Sequence, residues 1–160
     1  MIIFINGSIN SGKSTVSKIL AEKIGNCAIL EIDELRNFIT WMPLEDSIQI
    51  NWENACLLMK NFVKHNIHVI IPYPLSQKNC EQVMRQLSDI NTKLYFFTLS
   101  PALDVALQNR GNRALDEWEI NRIKYHYEVG INKPSFGDII DNSDERPEET
   151  ATHILKKIQV

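Results

Sequence analysis

The segment NGSINSGKST, Asn6 to Thr15, follows directly on the apolar run MIIFI. From Gly7 to Ser14 it spaces its residues as Gly, four others, Gly, Lys, Ser. Each type at that spacing has a chemical reason. Gly7 lets the chain turn off a strand, and Gly12 lets backbone approach an anion where a Cβ would collide. The amides of Asn10, Ser11 and Gly12, with the start of the following helix, offer donors and a positive dipole to phosphate. Lys13 would reach the β- and γ-phosphates, the Ser14 hydroxyl would ligate Mg²⁺, and Thr15 would lie toward the α-phosphate. The context supports this, since a strand precedes the loop and a helix follows it.

A second cluster lies in EIDELRNFI, which places Glu31, Asp33 and Glu34 at the C-terminal end of the second strand. In open parallel sheets that end is where ligands bind. Asp33 is the candidate to accept a proton from an attacking hydroxyl, or to hold Mg²⁺ through water. Arg36, one turn on, would clamp an anionic or hydroxyl-rich substrate. The competing readings are plain structure, with Asp33 as a helix N-cap and Arg36 on a solvated face.

A third group is QNRGNRALDEWEINR, with Arg110, Arg113 and Arg122 around the joint Gly111. Arginines closing over a transferring phosphoryl group would stabilise its spread charge and exclude water. This predicts a small lid over about residues 110–122. Arg110 could instead stack on an adenine ring, and Arg122 could pair with Glu119 one turn back. The turn IIDNSDERPEE offers Asp141, Asn142 and Ser143 as a purine-binding loop. Trp41 and Tyr73 are candidates for the substrate side. Many phosphate-loop proteins hold magnesium with an acid at the end of a second core strand. Here HVIIPYPLS has Pro72 and Pro74 at that place. Either Asp33 takes over that work or a hydroxyl such as Ser76 does so through water. His65, His126 and His153 have no partner spacing for metal or triad chemistry and read as surface residues.

The elements that must position these groups alternate, short apolar runs with helical patterns, which is the signature of an α/β domain with a parallel sheet. Strands are predicted at IIFIN, CAILEI, IHVIIPY, KLYFFTLS and FGDIID. Helices are predicted from about Lys13 to the stop at Gly25, briefly from Asp33, from about Ser47 to Lys64, and over SQKNCEQVMRQLSD behind a Ser76 cap. Three more follow, over PALDVALQNR with Pro101 at its start, over DEWEINRIKYHYEVG, and over RPEETATHILKKIQ. Trp52, Ala55, Cys56, Met59, Phe62 and Val63 form the apolar stripe of the long helix. No repeat or linker divides the 160 residues, so one domain over 1–160 is expected.

Composition narrows the classes. A net charge of −3 argues against a general nucleic-acid binder. No apolar run has the length of a membrane span. MIIFIN carries no basic lead, so it does not read as a signal peptide. Three cysteines with no C-x-x-C spacing read as reduced, mostly buried thiols, and the expected compartment is cytoplasmic. A homodimer is left open.

FINGSINSGKST, FTLSPALDVALQNR and IIDNSDERPEETATHI together resemble the small phosphate-loop kinases of the nucleoside-monophosphate-kinase type fold. That group includes shikimate kinase, gluconate kinase and chloramphenicol phosphotransferase, and the likeness is strongest to the tunicamycin-resistance-type ATP-binding proteins. The resemblance covers most of the chain, and only the phosphate loop is specific. It implies a three-layer P-loop NTPase fold, with a five-stranded parallel sheet in order 2-3-1-4-5, helices on both faces and a lid. It implies ATP with Mg²⁺, phosphate binding by Gly12, Lys13, Ser14 and Thr15, the acid role for Asp33 and the lid role for Arg110 and Arg113. The resemblance does not extend to the region from Trp41 to Asn54, which would read the acceptor, so it does not imply which acceptor is used. The expected activity is ATP-dependent phosphoryl transfer to a hydroxyl of a small molecule. The alternatives are a nucleotide-binding switch or slow NTPase without an acceptor, and a kinase acting on a nucleoside, a nucleotide or a nucleic-acid end.

Overall fold

Six consecutive buried residues, IIFING, form β1 (Ile2–Gly7) at the centre of the sheet. Its apolar run Ile2 to Ile5 suits a parallel strand covered on both faces. The computed structural model describes residues 1–109 and 114–158. Around β1 lie β2 (Cys27–Ile29), β3 (His68–Pro72), β4 (Leu94–Leu99) and β5 (Asp138–Ile140), in the order β2-β3-β1-β4-β5. Every pairing is parallel. Fold class, strand order and orientation are those expected from the sequence.

Helices cover both faces. On one, α1 (Lys13–Ile24) and α6 (Pro147–Lys157) bury Val16, Leu20, Ala151 and Ile154 against Ile3, Ile5 and Phe97. On the other, α2 (Leu44–Lys64) and α3 (Gln77–Gln86) bury Trp52, Ala55, Met59 and Val83 against Phe4, Val69 and Ile71. Between the alternating faces of the strands and these helices lie two apolar layers. The remaining helices, α4 (Leu103–Ala106) and α5 (Glu117–Glu128), stand beyond the end of β4. No helix among the described residues is long and apolar enough to cross a membrane.

Several boundaries differ from the sequence expectation. β2 ends at Ile29, and Glu31 is the N-cap of a 3-10 helix over Ile32–Phe38. Asp33 therefore sits in the first turn of that helix, as neither its cap nor the strand's last residue. The helix expected over PALDVALQNR shrinks to the four residues of α4, with Ala102 as N-cap and Pro101 outside it. Asn10 explains its end, since its amide donates to the carbonyls of Ala106 and Gln108 at 2.8 and 2.9 Å. α2 starts at Leu44, behind Pro43, and runs three residues longer at its N-terminus than the Ser47 start. Ser76 caps α3 as expected, accepting from the Asn79 amide. Asp116 and Glu119 add a reciprocal capping box to α5.

Cys56 and Cys80 are buried, Cys27 is half-buried, and all three are free thiols.

Candidate functional site

The phosphate loop is built by the sheet rather than by its own sequence alone. Gly7 ends β1 at φ +139, and a Cβ there would stand 2.5 Å from the Leu99 carbonyl oxygen and 2.6 Å from Ser11 Oγ. Both the conformation and the space demand glycine. Gly7→Ala is expected to lower stability by roughly 3 kcal/mol or to prevent folding, as other strained backbone substitutions do. A denaturant titration checks this, and a variant as stable as the parent would contradict the packing described here. Gly12 takes φ +97 as the N-cap of α1.

Asn6, buried at the end of β1, ties the neighbouring strands to the loop. Its amide donates to Thr98 Oγ1 at 3.0 Å and to the Ile131 carbonyl at 3.2 Å, and its Oδ1 accepts from the Leu75 amide at 2.7 Å. The three contacts come from three separate segments, so their shared convergence on Asn6 is not visible along the sequence.

Lys13 is half-buried at the start of α1, with its Nζ donating to the Ser8 carbonyl at 2.6 Å. Burial lowers its pKa to about 8, against the opposing pull of Glu31 and Asp33. Ser14 and Thr15 present exposed side chains on the first turn of α1. Glu31 accepts a hydrogen bond from Ser14, and its pKa is raised, by burial before anything else. Asp33 is more exposed, and its carboxyl is raised too, by desolvation on its folded side and then by Glu34, with Lys13 opposing. Glu31 is thus the carboxylate that touches the phosphate-loop hydroxyl, a placement the sequence reading passed over in favour of Asp33. Its position four residues beyond Cys27, at the sheet's ligand-binding end, was the available signal. The Ser14 hydroxyl with two nearby carboxylates is a hard oxygen set of the type that suits Mg²⁺.

On the far side of the loop, His126 is 3% exposed, which corrects its reading as a surface residue. It lies with Ile123 and Glu119 on the inward face of α5, all three buried at helical spacing. Its Nδ1 is 3.2 Å from Ser8 Oγ. Burial, then Arg122 and Lys13, lower its pKa to about 4. The folded state therefore holds this ring neutral. Because that value lies below the ordinary 6.5, stability from this site is full above pH 6.5 and is lost as pH falls toward 4. The loss should be about 3 kcal/mol. Comparing denaturation midpoints at pH 7 and pH 4.5 checks it: His126→Gln should remove most of the acid loss, and an unchanged slope would assign the loss to other groups.

Two concavities lie near the loop, the smaller walled by it and the larger bordered by His126, which stands against Ser8. One, of about 390 Å³, is lined by Asn10, Gly12, Thr15, Asn142, Glu145 and Pro147. Asn142, from the loop after β5, donates to the Ser11 carbonyl at 3.0 Å and is part of this wall. The other, of about 600 Å³, lies between the segment after β3, the outer part of α5 and residues 130–135. Tyr73, Ser76, Arg122, Tyr125, His126 and Lys133 are among its walls. Tyr73 links it to the carboxylates: burial first and Asp33 second raise its hydroxyl, while Arg122 opposes.

The other candidates are placed less centrally. Arg36 is half-buried, and neither it nor Trp41 lines the cleft, Trp41 being 78% exposed. Arg122 forms no ion pair with Glu119; its guanidinium carbon stands 5.1 Å from the centre of the Tyr125 ring. Arg110 and Arg113, and the joint Gly111 between them, lie outside the described residues.

No protein-family model matches the chain, and no curated protein matches it either. Among solved structures it is similar to a tunicamycin resistance protein from Deinococcus radiodurans, with TM-score 0.74 and 18% identity over 99% of this chain and 95% of that one. It is similar to a sugar kinase from Janibacter, with TM-score 0.70 and 15% identity over 97% and 92%. It is also similar to the APS kinase of Mycobacterium tuberculosis in complex with AMPPNP and APS, with TM-score 0.65 and 16% identity over 97% and 95%. The chain has the α/β phosphate-loop kinase fold.

Proposed function

We propose that this protein is a kinase that transfers the γ-phosphoryl group of ATP to a hydroxyl of a small molecule, working as one domain. The observation that carries the reading is the grouping of Glu31, Asp33 and Lys13 at one phosphate loop, with one concavity walled by the loop and a second one bordered by His126, which stands against Ser8. The smaller concavity, with Asn142 on its wall, takes the purine. The larger one takes the acceptor. Kinase fold neighbours, one holding a nucleotide analogue together with its acceptor, support the assignment.

In this reading Gly7, Asn10, Ser11 and Gly12 shape the cradle for the phosphates. Lys13 leaves the Ser8 carbonyl to meet the β- and γ-phosphates, and Thr15 lies beside the α-phosphate. Mg²⁺ on Ser14, backed by Glu31 and Asp33, supplies charge neutralisation when bound. Asp33 accepts the proton of the acceptor hydroxyl as its oxygen bonds to the γ-phosphorus, while the bond from that phosphorus to the β,γ-bridging oxygen breaks and ADP leaves. Tyr73 orients the acceptor, and Arg36 serves the acceptor only if the 3-10 helix moves inward. Arg110 and Arg113 are assigned to the lid by sequence alone.

The experiment follows the γ-phosphoryl group directly. The protein is incubated with γ-labelled ATP, Mg²⁺ and a set of hydroxylated small molecules, and the products are separated. Label on an organic product supports the kinase. Label released only as inorganic phosphate, at a rate no acceptor changes, favours the NTPase or switch.

A further inference from the structure

The larger cleft has a chemical bias that the proposed transfer does not explain. The whole chain has 20 acidic and 17 basic side chains, yet no aspartate or glutamate is among the described residues lining this cleft. Its charged groups are Arg122 and Lys133, and neither forms an ion pair with a described residue. Around them stand neutral polar groups: Ser76, whose hydroxyl donates to Asn79 Oδ1, Ser135, whose hydroxyl donates to Gln77 Oε1 at 2.7 Å, and the side-chain amide of Asn79. His126 lies on the same wall and is kept neutral, so it adds no third charge.

The walls are as informative as the charges. Ile48, Tyr125 and Val129 line the cleft while remaining 43%, 48% and 49% exposed. Arg122, Tyr125 and Val129 follow each other at helical spacing along α5 and its C-cap, so one face of that helix carries a cation beside apolar and aromatic side chains. The Arg122 guanidinium rests over Tyr125 at 5.1 Å, a contact that holds the fork in place without neutralising its charge. A planar guanidinium with free donors fits an oxyanion in a two-point contact, and a flexible ammonium adds charge nearby. Tyr73, at the inner end, is within electrostatic reach of both Arg122 and Asp33.

We infer that the acceptor carries an anionic oxygen group, a carboxylate, sulfate or phosphate ester, on an apolar or aromatic body, and that Arg122 and Lys133 hold that group while the body lies on Tyr125, Val129 and Ile48. The inference rests on the kinase reading for the word acceptor. The group held in the cleft directs the hydroxyl toward Asp33, past Tyr73.

The test has two arms. In the first, protein saturated with Mg²⁺ and AMPPNP, which fills the phosphate loop, is titrated with inorganic sulfate. Binding is followed by NMR at the Arg122 side chain, assigned through Arg122→Gln. In the second, aromatic hydroxy acids, their sulfate and phosphate monoester counterparts, and their neutral amides are compared in pairs as acceptors and as ligands. The expected result is saturable sulfate binding at Arg122 and at least tenfold preference for the anionic member of each pair. In Arg122→Gln with Lys133→Gln the preference should vanish, and so should the sulfate response followed at the backbone amides of Tyr125 and Val129, whereas the affinity for AMPPNP should not change. No saturable sulfate response, or a preference that survives the double variant, overturns the anion site and leaves ATP-dependent transfer to neutral acceptors standing. Anion binding without any ATP-dependent transfer overturns the kinase reading, and with it the acceptor role of the bound anion. Which oxyanion binds most tightly separates carboxylates from sulfates and phosphate esters.

Discussion

Lys13→Ala should lower phosphoryl transfer by about a thousandfold, the size of effect seen when a preorganised charge partner of a transition state is removed. The reason lies in how the ammonium is held. Burial already works against its charge, and its pKa is lowered to about 8 although Glu31 and Asp33 stand near. It rests on the Ser8 carbonyl at 2.6 Å, inside the loop it would serve. An arriving polyphosphate supplies the countercharge that this position lacks. The same physics predicts an opposite effect on the empty protein. The folded pKa lies below the ordinary 10.5, so the unfolded chain binds more proton between pH 8 and 10.5, and stability rises with pH across that window. Below pH 8 the full penalty, about 3 kcal/mol, is present. Lys13→Ala should therefore be at least as stable as the parent at pH 7 and should lack the gain toward pH 10. Urea titrations at both pH values, beside single-turnover kinetics, measure the two effects. A variant that loses activity and stability together would show that Lys13 is a packing residue.

The second large effect separates the two carboxylates. Asp33→Asn should reduce the transfer rate by roughly a hundredfold to a thousandfold, within the range for a positioned general base, while ATP affinity stays near that of the parent. Glu31→Gln should act differently. Glu31 accepts from Ser14, so its loss should raise the Mg²⁺ concentration needed for half-maximal rate by about tenfold, with a smaller fall in the rate at saturating Mg²⁺. The pH dependence carries the same assignment. Desolvation raises the Asp33 carboxyl above its ordinary 3.8, so the rate should rise with pH through that raised value, and Asp33→Asn should remove this limb. Sign and stability are linked here. A raised carboxylate binds more proton in the folded state, so this site stabilises the fold as pH falls, the reverse of His126. Steady-state kinetics over a pH series with Mg²⁺ titrations at each point provides the check. Interchanged phenotypes would move the base to Glu31.

The sequence made the sheet and the loop legible for a local reason. β1, β3 and β4 are continuous apolar runs, and Gly7, Gly12, Lys13 and Ser14 are close in the chain. Their chemistry follows from spacing without knowledge of the fold. What was hidden depends on long-range packing. His126 is brought to Ser8 across 118 residues, so its burial could not follow from its neighbours alone. The row Glu119, Ile123 and His126 did carry a helical stripe, and reading it as inward-facing would have placed the imidazole correctly. The end of β2 was not legible because CAILEI is apolar apart from Glu31 and reads as one continuous strand, while pairing with β3 stops at Ile29. α4 was overextended because helix propensity in PALDVALQNR gave no hint that Asn10 would take the carbonyls at its end. Arg122 lay inside the segment expected to act as a lid, and the described part of that segment is an ordinary capped helix whose exposed face lines the larger cleft.

The central claim is transfer to an acceptor, and the ratio of acceptor-stimulated to basal ATP turnover tests it most directly. It is measured with hydroxylated acceptors in the parent, in Lys13→Ala and in Asp33→Asn. Strong stimulation by at least one acceptor, lost in both variants while Asp33→Asn still binds ATP, is the result predicted here. Tight ATP binding with slow turnover that no acceptor changes, and that survives Asp33→Asn, would contradict it and make the protein a nucleotide switch.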